Sequence, residues 1–112
     1  MVNSGTAAAL SAIRLARDGF EPPAQLVERI AEFDAEVKGR TNFARHFGAA
    51  RSGARFRQPE LAATLERIAR RGAAEFYRGR TARLLVAEMR RGGGIISARD
   101  LAAYRPVWRE PL

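Results

Sequence analysis

From Gln58 to Leu112 the apolar residues return every three or four positions, and glycine or proline opens or closes each run. Leu61, Leu65 and Ile68 make one series, widened by Ala62 and Ala69, while Ala82, Leu85, Val86 and Met89 make another. A helix needs that period to bury one face, whereas a strand alternates every second residue. This stretch is therefore predicted to be largely helical. Pro59 suits a first helical position and Glu60 meets the positive end of its helix. Arg67, Arg70 and Arg71 crowd the opposite end, before Gly72, where cations complement the dipole. Ala73 to Tyr77 reads as one short turn that seats Phe76 and Tyr77 against the core. Gly79 allows a change of direction before the next helix, which ends at Arg90 and Arg91.

Gly92, Gly93 and Gly94 follow that helix. A glycine run cradles phosphate when it lies between a strand and a helix N-terminus with a Lys-Ser/Thr partner; neither condition is met, so a helix-terminating turn is expected. Ser97 with Asp100 resembles a capping box with aspartate at its third position, which predicts a short helix over Ala98 to Ala103 with Leu101 facing inward. Pro106 then excludes a helix interior, and the alternation from Tyr104 to Trp108 reads as the start of an edge strand whose partner is absent.

Upstream, Ala9, Leu10, Ile13 and Ala16 share one face of a helix expected over Thr6 to Asp18, capped by Gly19, with Phe20 folding back onto the stripe. Pro22 and Pro23 suit the start of a second helix, Ala24 to Val37, whose apolar positions are Leu26, Ile30, Phe33 and Val37. Glu28, Glu32, Asp34 and Glu36 give it an acidic, solvent-facing side. A short connection between two helices predicts a helical hairpin over 6–37. Residues 38–57 break the pattern: Lys38, Arg40, Arg45, Arg51, Arg55 and Arg57 occur with no acidic residue. Phe43, Phe47 and Phe56 interleave with them, a composition that suits single-stranded nucleic acid. Gly39, Gly48, Ser52 and Gly53 favour the other reading, a basic loop linking two helical parts and anchored by its phenylalanines.

A chain of 112 residues bounds the answer to a single domain or part of one, here read as a single partial domain over 1–112 made of the hairpin, the basic loop and, over 58–112, helices leading into a strand. The formal net charge of +8 raises nucleic acid as a partner, but of the 20 basic residues only Lys38 is lysine, and such an arginine bias in an alanine-rich chain fits a GC-rich genome as well. With no cysteine there is neither a disulfide framework nor a thiolate metal site, and His46 by itself cannot build one. No signal-like succession opens the chain and no apolar run nears the roughly 18 residues that span a bilayer, so as it stands the chain is expected to be soluble and cytoplasmic, without a membrane partner.

Several segments are similar to the large subunit of gamma-glutamyltransferases. They are Gln58 to Leu65, Gly72 with Phe76-Tyr77-Arg78-Gly79, Gly93-Gly94-Ile95-Ile96, Asp100 to Tyr104, and Val107 to Leu112. Ser11 to Phe20 resembles an upstream family segment, with serine where proline is usual, and the likeness is weakest over 38–57. The resemblance implies a mainly α chain: the helical segment of an α/β N-terminal-nucleophile hydrolase, an αββα sandwich, truncated before its central sheet. It also implies an enzyme made as one precursor that cleaves itself to expose a small-subunit threonine. That threonine forms a gamma-glutamyl ester, which water or an acceptor amine resolves beside an oxyanion hole.

Those parts lie outside the segments matched here, and the large-subunit arginine that holds the substrate carboxylate lies upstream of them. Thr6, Thr41, Thr64 and Thr81 stand in none of the family's nucleophile contexts. No catalytic, substrate-binding, cofactor-binding or metal-binding residue is therefore assigned, and no cofactor is expected. The expected partners are the rest of the large subunit and the small subunit, with gamma-glutamyl substrates reached only in the complete enzyme. Complete family members are often periplasmic or secreted. The alternative is a stand-alone basic helical module that binds nucleic acid or an acidic partner, and a third reading is a separately encoded piece that assembles with the remainder.

Overall fold

The structure, a computed structural model, describes residues 4–112, with side chains described from residue 7 onward. Seven helices occur among the described residues: α1 (Ser4–Asp18), α2 (Ala24–Val37), α3 (Phe43–Phe47), α4 (Pro59–Arg71), α5 (Ala73–Arg78), α6 (Arg80–Gly92) and α7 (Ala98–Ala103). The chain divides between Glu66 and Arg67 into two compact units. None of the described helices is long and apolar enough to cross a membrane.

In the first unit the core is Ile13 and Ala16 of α1, Phe56, and Ala62 of α4. Phe56 reaches that core because its backbone pairs with Phe20: the Phe56 amide donates to the Phe20 carbonyl at 2.8 Å, and the Phe20 amide returns the bond at 3.2 Å. Two residues on, the Gln58 amide donates to the Ala16 carbonyl at 2.7 Å. Gly19 makes this approach feasible. Its φ of +82° is left-handed, and a Cβ there would lie 2.7 Å from the Phe56 carbonyl oxygen. Phe20 thus folds back as expected, but onto a backbone partner that helical periodicity does not reveal.

The two helices expected within 6–37 are present as α1 and α2. α2 packs on α3 and buries none of its residues fully. Phe33 of α2 meets Phe43 edge-on at 4.9 Å, Phe43 stacks on Phe47 at 4.7 Å, and Phe47 lies 6.1 Å from Phe56. The segment read as a basic loop therefore contains a helix, α3. Its aromatic residues gain by packing on one another as well as on the core, since favourable ring pairs add to simple area burial.

In the second unit α5, α6 and α7 pack on one another. Ala82 and Val86 of α6 are buried, Leu85 and Met89 half-buried. The triple glycine ends α6 as expected, with the Gly94 amide donating to the Met89 carbonyl at 2.7 Å. Ser97 and Asp100 form the expected capping box, each side chain accepting from the other's amide. Tyr104 stacks on Tyr77 at 5.5 Å between centroids.

Two expectations fail here. Tyr104 to Trp108 forms no strand; a strand exists only through its ladder, Pro106 removes one donor, and no described segment supplies the other side. The residues from Ala73 to Tyr77 belong to a helix, α5, that does not seat Phe76 inside. Phe76 is exposed, Tyr77 half-buried, and the residue α5 buries completely is Glu75.

Candidate functional site

Glu75 has no exposed surface, the one charged side chain in the described core. An isolated buried carboxylate is costly, so its partners decide whether the arrangement holds. Its Oε2 accepts from the Thr81 amide at 2.7 Å, from the Thr81 hydroxyl at 2.7 Å and from Arg67 Nε at 3.3 Å. Arg67 also donates through Nη2 to Thr81 Oγ1 at 3.3 Å, and its own side chain is 16% exposed. The other oxygen, Oε1, has no hydrogen bond; Arg71 Nη1 lies 3.7 Å from it.

Each partner is delivered by an element boundary. α5 carries Glu75, the C-terminal part of α4 carries Arg67, and Thr81 is the second residue of α6. Gly79 has no cap side chain to offer α6, so the Glu75 carboxylate takes that place from one turn upstream and meets the positive end of the helix. A Cβ at Gly79 would sit 2.7 Å from Glu75 Oε1, so a glycine there is part of the same arrangement.

The hydrogen bonds from Thr81, hydroxyl first and amide second, together with Arg67, hold the Glu75 carboxyl down at about 2 against the opposing effect of burial. A group so strongly ionised and closed to solvent is a poor proton shuttle near neutral pH. The cluster can lock α4, α5 and α6 together and present Thr81, but it cannot start acid–base chemistry on a substrate.

The residues weighed from the sequence lie elsewhere. Thr41 Oγ1 accepts from the Phe43 amide at 3.2 Å, the Thr64 hydroxyl donates to the Glu60 carbonyl at 3.2 Å, and the side chain of Thr6 lies outside the described residues. Thr81 is committed to Glu75. His46 Nδ1 is 3.8 Å from Glu60, whose carboxylate accepts from Arg45 at 2.5 Å. The hollow beside them is about 190 Å³, below the usual size of a ligand pocket. No group of three or more potential metal ligands occurs among the described residues.

Several arginines of 38–57 are spent within the chain: Arg40 on the Glu36 carbonyl, Arg45 on Glu60, and Arg55 on the carbonyls of Asp18 and Gly19. With Phe43, Phe47 and Phe56 packed against neighbouring rings, the base-stacking platform of the nucleic-acid alternative is not built. The one functionally suggestive residue the sequence reading passed over is Glu75. Its helix is too short to show a stripe, and only the nearby Gly79 and Thr81 hint at it.

The profile of the family Gamma-glutamyltranspeptidase matches residues 9–112. The glutathione hydrolase proenzyme of Pseudomonas aeruginosa is 46% identical over 101 residues, which is 90% of this chain and 18% of that protein. That of Escherichia coli is 36% identical over 106 residues, again 90% of this chain and 18% of the relative. Among solved structures, the gamma-glutamyltranspeptidase from Pseudomonas nitroreducens complexed with L-DON superimposes with a TM-score of 0.89 at 42% identity, over 97% of this chain and 32% of that one. The gamma-glutamyltranspeptidase of Helicobacter pylori gives 0.85 at 31% identity, over 96% and 32%. The chain thus spans about a fifth of the curated relatives' length. With the family profile matching residues 9–112 and solved family members superimposing over nearly its whole length, this chain belongs to the gamma-glutamyltranspeptidase family.

Proposed function

We propose that the chain is a scaffold segment of a gamma-glutamyltransferase large subunit, a partial domain that is inactive alone. In this reading it packs against the remainder of the large subunit and the small subunit. The complete enzyme would cleave the gamma-glutamyl bond of glutathione and related compounds, passing the group to water or to an amino acid or peptide acceptor. The observation that carries the reading is the family match over residues 9–112.

The chemistry of the chain agrees with a supporting role. A threonine nucleophile of this class uses its own α-amine as base. Thr6, Thr41, Thr64 and Thr81 are all internal, their nitrogens tied up as amides. Exposed apolar side chains give further support: Ile95 is 94% exposed, Val107 70% and Trp108 98%, and large apolar side chains left in solvent suit a face that another part of the enzyme covers. The fold proposed for the whole is the αββα sandwich, with the region after Trp108 continuing into its central sheet.

An assay of the purified chain with a chromogenic gamma-glutamyl anilide tests this. The expected outcome is no release of the aniline above a buffer blank. Turnover that survives repurification overturns it.

A further inference from the structure

Beside the Glu75 cluster, on the second unit, Arg67, Arg70, Arg71, Arg80 and Arg83 line a depression of about 300 Å³. From this arrangement we infer a binding site for a small multivalent oxyanion of the polyphosphate class, an inference independent of the inactivity proposed above.

The helix dipole explains only part of the cluster. Arg70 and Arg71 lie in the last turn of α4, where cations are favoured. Arg80 and Arg83 lie in the first turn of α6, where cations are disfavoured and where no acidic residue stands. Two guanidinium groups are thus held at the positive end of one helix and facing the basic end of another, a placement that raises the local potential instead of relieving it.

The acidic compensation is one carboxylate. Glu75 meets Arg67 at 3.3 Å and Arg71 at 3.7 Å, while no described hydrogen bond or ion pair engages the side chains of Arg70, Arg80 or Arg83. Five guanidinium groups against one carboxylate leave an excess of four positive charges around one concavity. Arg67 is already fixed by Glu75 and Thr81, which gives the floor of the site a preset orientation, while the exposed arginines are free to close on a ligand. Guanidinium forks match phosphate oxygens two at a time, so several chained phosphates engage what one cannot. A single charge would leave most of the excess unanswered, hence the multivalent class.

The test is titration of the 112-residue chain with inorganic tripolyphosphate, by calorimetry at near-physiological salt, with orthophosphate as the single-phosphate comparison. Saturable binding of one tripolyphosphate per chain is expected, and weaker binding of orthophosphate. The double substitution Arg80→Gln with Arg83→Gln should weaken the tripolyphosphate Kd by about tenfold or more, since it removes two charge-assisted forks. The control Arg105→Gln with Arg109→Gln removes the same net charge elsewhere and should change the Kd by no more than about twofold, as expected for distant screened charges. Both pairs are exposed, and circular dichroism is the check that each variant folds. Equal weakening by the two pairs would reduce the effect to net charge and overturn the site. So would the absence of saturable binding, or a preference for a single-stranded oligonucleotide untouched by the Arg80 and Arg83 changes.

Discussion

In the unit that ends at Glu66 the buried side chains are apolar: Ile13, Ala16, Phe56 and Ala62, closed by a pair of backbone hydrogen bonds between Phe20 and Phe56. In the unit that begins at Arg67 the most buried side chain is Glu75, surrounded by Thr81 and Arg67. The two kinds of core fail differently. An apolar core loses stability in proportion to the atoms removed, because neighbours can partly collapse into the space. A buried carboxylate is close to all-or-none, because removing one partner leaves the others desolvated and unpaired.

The sharpest way to break that contrast is Glu75→Ala. It strips the amide and hydroxyl of Thr81 of their acceptor, leaves Arg67 beside a hole and uncaps α6. The expected outcome is loss of hydrogen-exchange protection at the Thr81 amide and through α6, while the Phe20 and Phe56 amides stay protected. Acid should do the same without mutation. The carboxyl is held down at about 2, below its unfolded value of 4.5, so its contribution is fully present above about pH 4.5 and is lost as pH falls toward 2. Protection at Thr81 should therefore fade over that window before protection at Phe56 does. Simultaneous loss at both sites would show one cooperative core and dissolve the comparison.

Phe56→Ala is the counterpart in the first unit and should cost roughly 3–5 kcal/mol, the range for deleting a buried aromatic ring. Phe56 is 5% exposed and contacts Phe20 and Phe47. Denaturant unfolding followed by exchange should place the loss at the Phe20 and Ala16 region, with Thr81 little changed. An effect under about 1 kcal/mol would mean that the ring line does not carry the unit.

Ser97→Ala should have the smallest effect, about 1 kcal/mol, as for loss of an N-cap. It removes the acceptor of the Asp100 amide and one donor to the Asp100 carboxylate, which the Ser97 amide and hydroxyl hold below the usual range. Faster exchange confined to α7 is expected. Spread to Thr81 would couple the capping box to the Glu75 cluster.

Local chemistry was legible where it acts over one turn. The bounds of α2 follow from Pro23 and the stripe Leu26, Ile30, Phe33 and Val37, and those of α4 and α7 from Pro59, Gly72 and the Ser97–Asp100 box. Each depends on groups within about four residues of one another, and that spacing is written directly into the chain. Family membership was legible for the same reason, through short runs such as Phe76-Tyr77-Arg78-Gly79 and Asp100 to Tyr104 that need no knowledge of packing.

What the sequence by itself determined is thus the helical class, most helix ends, the glycine turn and the family. Only the tertiary structure decided which residues meet across longer separations: Phe20 with Phe56, α2 with α3, and Glu75 with Arg67 and Thr81. It also decided that α5 turns its glutamate inward and leaves Phe76 outside. The physical reason is that hydrophobicity assigns a cost to burying a carboxylate alone, whereas the actual cost depends on donors that come from two other helices. Those donors are brought within 2.7–3.3 Å only after the chain has folded.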